Sequence, residues 1–285
     1  MQISEKAYAK INLFLDVVGK REDGFHEIKS VMQSVSLFDE VDVSVERADF
    51  SCITLKVENS DIPADERNLA YLAAEAFLDK TGISAAVDIT VRKYIPDRAG
   101  LGGGSSDAAA VLRALNMALG NPLSKDALCA LGETLGSDVP FCIVGGTRLC
   151  EGKGEKMSMY STPGGIYVIV PPVSEKVETP KAYRLLDAAF DNFADENAAL
   201  HEELFGFFDE DPILGMYNVF EGVVIPGCPE VHEVRVALYN LGAMGALMSG
   251  SGSAVFGVFD TEEEAEAAAK ELPGAVVCRP IDALL

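Results

Sequence analysis

Residues 96–110 read Pro-Asp-Arg-Ala-Gly-Leu-Gly-Gly-Gly-Ser-Ser-Asp-Ala-Ala-Ala, and this stretch leaves the chain few choices of local structure. Gly100, Gly102, Gly103 and Gly104 lack Cβ atoms, so the backbone can turn with positive φ and let a ligand approach its amides. Ser105, Ser106 and Asp107 then open a helical run through Ala108, Leu112, Leu115 and Leu119. A glycine loop feeding a helix start aims unpaired N–H groups and the positive end of the helix dipole at one place, which suits a phosphate. The stretch is expected to hold an anion, the alternative being a flexible connection or a helix cap. It lacks the Gly-Lys-Ser/Thr ending of a Walker loop and the Gly-x-Gly-x-x-Gly layout of a dinucleotide fold.

The overall charge works against that role. With 23 Lys and Arg against 45 Asp and Glu, the formal net charge is -22, which repels a phosphate backbone and argues against a nucleic-acid partner. A phosphate site here must be built from local amides and a few well-placed cations. Each lysine near the glycine loop therefore matters.

The 285 residues allow about two compact units. Cys52, Cys129, Cys142, Cys150, Cys228 and Cys278 form no Cys-x-x-Cys pair and read as reduced thiols. The longest apolar run, 166–173, is too short for a bilayer and contains Pro171 and Pro172, and the start has no apolar signal core. The expectation is a cytoplasmic protein with no membrane partner.

Alternation with a period of two predicts strands at 7–15, 27–37, 41–45, 53–57 and 87–91, with the third and fourth in an antiparallel meander. Helical spacing predicts helices at 68–78, from Ser105 to Leu119, and at 124–135 after Ser124, before a break at 136–140. Farther on, strands are expected at 166–170, 254–259 and 275–278, and helices at 179–186, 191–211, 231–241 and 261–272. The acidic face of 191–211 reads as solvent-facing. Helices on an antiparallel sheet make the second half an α+β unit, like the first. On the first strand Lys10 and Asn12 share a face, which this segment alone leaves open as a solvated edge.

Ala9-Lys10-Ile11-Asn12-Leu13, the loop 96–108, and Leu247-Met248-Ser249-Gly250-Ser251-Gly252-Ser253-Ala254 resemble three ordered motifs. They are those of the galactokinase, homoserine kinase, mevalonate kinase and phosphomevalonate kinase (GHMP) family. Gly19-Lys20-Arg21-x-Asp23-Gly24-Phe25-His26 and Gly136-Ser137-Asp138-Val139-Pro140-Phe141 resemble the branch whose small-molecule substrate is a cytidine diphosphate-linked methylerythritol. The resemblance implies a two-domain α+β fold with the site between the domains. Residues 1–155 would form an ATP-binding domain like ribosomal protein S5 domain 2, and 156–285 a ferredoxin-like C-terminal domain. It also implies a kinase using ATP and Mg2+, working as a monomer or weak homodimer.

Residue by residue, the resemblance assigns Lys10 and Asp138 to catalysis. An alcohol attacking a phosphoryl group must lose its proton, and a carboxylate within hydrogen-bond reach can take it. Lys10 would favour the ionised carboxylate, orient the hydroxyl and offset growing charge. Pro96, Asp97, Arg98, Ala99, Gly100, Leu101, Gly102, Gly103, Gly104, Ser105 and Ser106 would hold the triphosphate, with Ser106 also a magnesium contact. His26, His201 and His232 are scattered, so the metal is expected to arrive with ATP. Asn68, Leu69 and Lys93 match positions near the adenine. Asn12, Phe25 and His26, with Thr179 and Tyr183, would form the substrate pocket, Phe25 stacking on cytosine and His26 bonding to its edge.

Alternatives stand beside these roles. Asp138 could be a turn or capping carboxylate, Phe25 a core residue beginning a strand, and 247–254 a Ser/Gly turn. The chain could also be another GHMP kinase, acting on mevalonate, homoserine or a sugar, or a catalytically silent nucleotide-binding protein. Asp97-Arg98-Ala99 departs from the small neutral residues usual in that part of the loop. Asp97 must then point outward or pair with Arg98.

Overall fold

The structure is a computed structural model that describes residues 1–172, 178–189 and 198–285. It begins with a long hairpin, β1 (Gln2–Lys20) and β2 (His26–Arg47), closed by a turn in which the Arg21 amide donates to Phe25 O. The two strands expected at 27–37 and 41–45 are one. No glycine or proline interrupts 27–47, and the ladder absorbs the irregularity as a bulge, Tyr8 pairing with Phe38 but Lys10 with Ser34.

β3 (Cys52–Glu58), α1 (Leu69–Thr81) and β4 (Ala85–Arg92) follow. The expected meander does not form. β3 lies parallel to β4, which separates it from β2, because α1 carries the chain across between them, and a parallel pair needs such a crossover. Next come α2 (Gly103–Ala118), α3 (Lys125–Glu133), α4 (Val139–Val144), β5 (Thr147–Gly152) and β6 (Lys156–Met159). The helix expected from Ser105 starts two residues earlier, so Gly103 and Gly104 are helical. Of the four loop glycines only Gly100 (φ 79°) and Gly102 (φ 72°) have positive φ.

The remaining elements are β7 (Ile166–Val170), α5 (Thr179–Ala189), α6 (Ala198–Glu210), β8 (Tyr217–Asn218), α7 (Glu221–Val224), α8 (Glu230–Asn240), β9 (Gly245–Met248), β10 (Val255–Phe259), α9 (Glu262–Glu271) and β11 (Val276–Cys278). The helix expected over 191–211 is present as α6, and its 191–197 part lies outside the described residues. Sequence reading gave no strand at β5, β6, β8 or β9. All four are short pairings that neighbours impose: β5 on β2, β6 on β5, β8 on β1 and β9 on β10.

Among the described residues the strands form two sheets. The seven-stranded sheet runs β3-β4-β2-β1-β8, with β5 and β6 branching from β2. The four-stranded sheet is antiparallel, ordered β11-β7-β10-β9, with α8 and α9 packed against it. Strand, helix, two strands, helix and strand in that order make a ferredoxin-like arrangement. One apolar cluster spans both sheets and joins all three motif stretches. Ala9, Ile11 and Leu13 from β1 pack with Ile95, Ala99 and Leu101 of the glycine loop and with Leu247 and Ala254. Among the described residues no helix is long and apolar enough to cross a membrane.

Candidate active site

The bulge at Lys10 turns its backbone away from the regular ladder, and its N–H donates to Leu101 O of the glycine loop at 2.9 Å. The residue is 4% exposed, so the solvated-edge alternative does not hold. Lys10 Nζ donates to Asn12 Oδ1 at 2.7 Å and lies 3.7 Å from Asp138 Oδ2. Asn12 in turn donates to Ser30 Oγ at 2.9 Å, and Ser30 donates to Phe14 O at 2.7 Å. This chain of bonds fixes the Asn12 amide and aims its oxygen at the lysine. Asp138 occupies the N-cap position of α4, yet its side chain makes no capping bond. The carboxylate is left to face Lys10, with a third of its side chain open to solvent.

The glycine loop and 247–254 interlock above this pair. Ala254 N donates to Ala99 O at 3.0 Å, and Ser249 Oγ donates to Gly100 O at 2.9 Å. A Cβ on Gly100 would stand 2.0 Å from Ser249 O, and one on Gly102 would stand 2.9 Å from Lys10 Cγ. Glycine is required at both for close approach as well as for φ. Gly102 begins α2 without a capping side chain, so the amides of the first turn remain available to a ligand. That geometry fits a bound phosphate chain.

Asp97 neither faces this turn nor pairs with Arg98. It accepts from Ser60 Oγ at 2.7 Å, while Arg98, at φ 52°, lies 3.7 Å from Glu178. Asn68 caps α1, accepting from Ala70 N at 2.9 Å and donating to Pro63 O at 2.7 Å. Leu69 Cδ1 lies 3.7 Å from where a Gly104 Cβ would stand, so both residues flank the loop. Pro96 and Ser105 are half-buried beside it. Ser106 Oγ is buried and donates to Tyr8 O at 2.6 Å, with Cys142 Sγ at 3.3 Å. A metal contact from Ser106 would use the oxygen's remaining lone pair. Among the described residues no group of three or more His, Cys, Asp or Glu could hold a metal ion.

Lys93 sits beneath the loop, 5% exposed. Its Nζ donates to Asp39 Oδ2 at 2.5 Å and to Asp107 Oδ2 at 2.7 Å. Burial works against the ammonium, but the two carboxylates outweigh it and its pKa lies above the ordinary lysine value. Asp107 is pushed above the usual carboxylate range by burial, with Asp39 adding and Lys93 opposing. Sequence reading missed Asp39 and Asp107. The available signal for Asp107 was an acidic residue on a helix whose residues 106–116 are all buried.

The hairpin turn between β1 and β2 presents Phe25, 54% exposed, with Lys153 Nζ 5.2 Å from the centre of its ring. Phe25 is therefore no core residue. His26 is 8% exposed, its ring 4.7 Å from that of Tyr183 and stacked on it, and its Nε2 lies 2.7 Å from Asp187 Oδ1. Asp187, also missed, accepts from Lys20 at 2.8 Å, and this bond leads in holding its carboxyl below the usual range. Burial pushes the Tyr183 phenol up to about 12, with the Asp138 charge adding. At the start of α5, Thr179 Oγ1 is 2.8 Å from Ser251 Oγ. The structure thus brings Lys10, Asn12, Asp138 and the glycine loop together, and separately joins His26 to Tyr183 and Asp187 of α5 beside the exposed Phe25.

The chain is similar to known proteins. Residues 68–146 match the model of the GHMP kinases N terminal domain, and residues 185–277 that of the GHMP kinases C terminal domain. A 4-diphosphocytidyl-2-C-methyl-D-erythritol kinase of Caldicellulosiruptor saccharolyticus is 40% identical over 267 residues, 94% of this chain and 91% of its own length. One from Clostridium acetobutylicum is 39% identical over 262 residues, 92% of each chain. The crystal structure of a 4-(cytidine 5'-diphospho)-2C-methyl-D-erythritol kinase has a TM-score of 0.77 and 36% identity, covering 98% of this chain and 99% of its own. With the three motifs converging on Lys10 and both domain models matched in order, the chain belongs to the GHMP kinase family, among the 4-diphosphocytidyl-2-C-methyl-D-erythritol kinases.

Proposed function

We propose that this protein is an ATP-dependent small-molecule kinase that phosphorylates the 2-hydroxyl of 4-diphosphocytidyl-2-C-methyl-D-erythritol, in the methylerythritol phosphate route to isoprenoid precursors. The observation that carries the reading is the Lys10–Asp138 pair, with Lys10 packed against Gly102 at the uncapped first turn of α2. A nucleotide-binding protein without chemistry has no use for such a pair.

In this reading residues 1–155 supply the nucleotide site, and 156–285 add the α5 wall of the substrate pocket. The glycine loop holds the triphosphate on the amides that open α2. Asp138 accepts the proton of the attacking hydroxyl. Lys10, held by Asn12, orients that hydroxyl and lowers the cost of negative charge on the transferred phosphoryl oxygens. Magnesium arriving with ATP would supply further charge neutralisation, with Ser106 as its protein contact. Phe25 stacks on the cytosine, and His26, oriented by Asp187, bonds to its polar edge. The overall charge of -22 leaves these local donors to do the binding, with no help from the wider surface.

Phosphorus NMR of the product tests the reading. Incubation with ATP, magnesium and the cytidine substrate should yield one new phosphomonoester on the 2-hydroxyl, alongside the intact diphosphate. ATP hydrolysis without a new phosphomonoester would contradict it.

A further inference from the structure

The buried cluster of Asp39, Lys93 and Asp107 joins three elements at one point below the glycine loop. Asp39 lies on β2, Lys93 follows β4, and Asp107 lies in the second turn of α2. Besides the lysine, Asp39 accepts the Tyr94 amide at 2.5 Å and the Ile95 amide at 2.8 Å. One carboxylate thus shapes the three residues that launch the loop. Asp107 stands one turn after Gly103, and helical side chains lean toward the N-terminus, which returns its carboxylate to the start of the helix. There Lys93 Nζ lies 3.2 Å from where a Gly103 Cβ would be. A side chain at Gly103 would crowd the ammonium and Ile95, whose Cγ2 is also 3.2 Å from that Cβ position.

We infer that Lys93 is a positioning residue for the phosphate-binding turn: through Asp39 and Asp107 it sets the position of the first amides of α2, and it makes no contact with the base of the nucleotide. The inference rests on the proposed kinase reading. Two bonds consume most of what the ammonium can donate, and both acceptors are buried. A side chain held in this way acts on whatever the loop binds, which is phosphate, and is indifferent to the base.

Binding calorimetry on the whole protein with ATP, GTP and the cytidine substrate, each alone, decides it. Lys93→Met removes the cation between two buried acidic side chains and endangers the fold, so the variant of choice is the double Lys93→Met, Asp107→Asn, which removes the lysine together with one of the two acids it pairs. It should keep a cooperative melt and weaken ATP and GTP by the same factor, roughly tenfold to a hundredfold, as for a small misplacement of a binding element. Its affinity for the cytidine substrate should not change. A changed ratio of ATP to GTP affinity would show that Lys93 reads the base and would overturn the inference, as would unchanged nucleotide binding or equal weakening of all three ligands. If the double variant does not fold, Asp107→Asn, which keeps Lys93 on Asp39, should shift ATP and GTP together. A change in their ratio there overturns the inference equally. Failure of the wild-type protein to bind ATP at all would instead count against the kinase reading.

Discussion

The ammonium of Lys10 stands 3.7 Å from the carboxylate of Asp138, although one lies on the first strand, β1, and the other heads the short helix α4. That separation is an ion pair loose enough to admit a hydroxyl beside it. Asp138 makes no capping bond, and Asn12 holds the lysine from the other side. In the proposed reaction this pair serves the transfer of the hydroxyl proton.

Asp138→Asn should therefore keep the fold and ATP binding while lowering kcat by roughly 10²-fold or more, the usual range for loss of a general base. The amide conserves shape but cannot accept the proton. Steady-state kinetics with calorimetry for ATP checks this, and near-normal kcat would remove Asp138 from the role.

The two kinds of loop glycine should respond in opposite ways. Gly102→Ala forces a side chain into φ 72° and against Lys10 Cγ at 2.9 Å, so Tm, ATP affinity and kcat should all fall, the left-handed backbone alone costing about 1–2 kcal/mol. Gly104 is helical and exposed, with Leu69 Cδ1 at 3.7 Å as the nearest neighbour of an added Cβ. Gly104→Ala should keep or slightly raise Tm. Thermal melts of the two variants side by side provide the check.

Phe25→Ala should weaken binding of the cytidine substrate by roughly 1–3 kcal/mol, the value for base stacking on an aromatic ring. The ring is 54% exposed, so Tm should not change. ATP affinity should be spared. Loss of Tm without loss of substrate affinity would return Phe25 to a structural role.

Stability should depend on pH through Asp107. Burial raises its folded pKa above the unfolded value, so its contribution is fully present below the ordinary carboxylate pKa of about 3.9 and is lost as pH rises through the folded pKa. Asp107→Asn has no such proton to lose. Its Tm should therefore gain on that of wild type as pH is raised from mildly acidic to mildly alkaline. A constant gap would mean that Asp107 ionises as an exposed carboxylate does.

Local patterns made part of this legible in advance. The period of two on β1 placed Lys10 and Asn12 on one face, and the structure joins them at 2.7 Å. The glycine run announced the start of α2. What local pattern could not show was partnership across the chain: β4 inserting between β3 and β2, Asp39 reaching Lys93, or Asp187 reaching His26. Each is set by tertiary packing, and a lone aspartate in a strand or helix carries no sign of its partner. Asp138 was visible only through family resemblance, because a carboxylate before Val-Pro reads equally well as a helix cap.

The central claim is that this site transfers phosphate to a cytidine-bearing alcohol. The most direct test is kcat/KM from coupled ADP release, with the cytidine substrate, its uridine analogue, mevalonate and homoserine measured side by side on the wild-type protein. A pocket that bonds to the edge of cytosine leaves buried groups unpaired against uracil. The account predicts the highest value for the cytidine substrate, a clear loss for the uridine analogue, and little turnover of mevalonate or homoserine. A preference for mevalonate or homoserine, or equal use of cytidine and uridine forms, would contradict it.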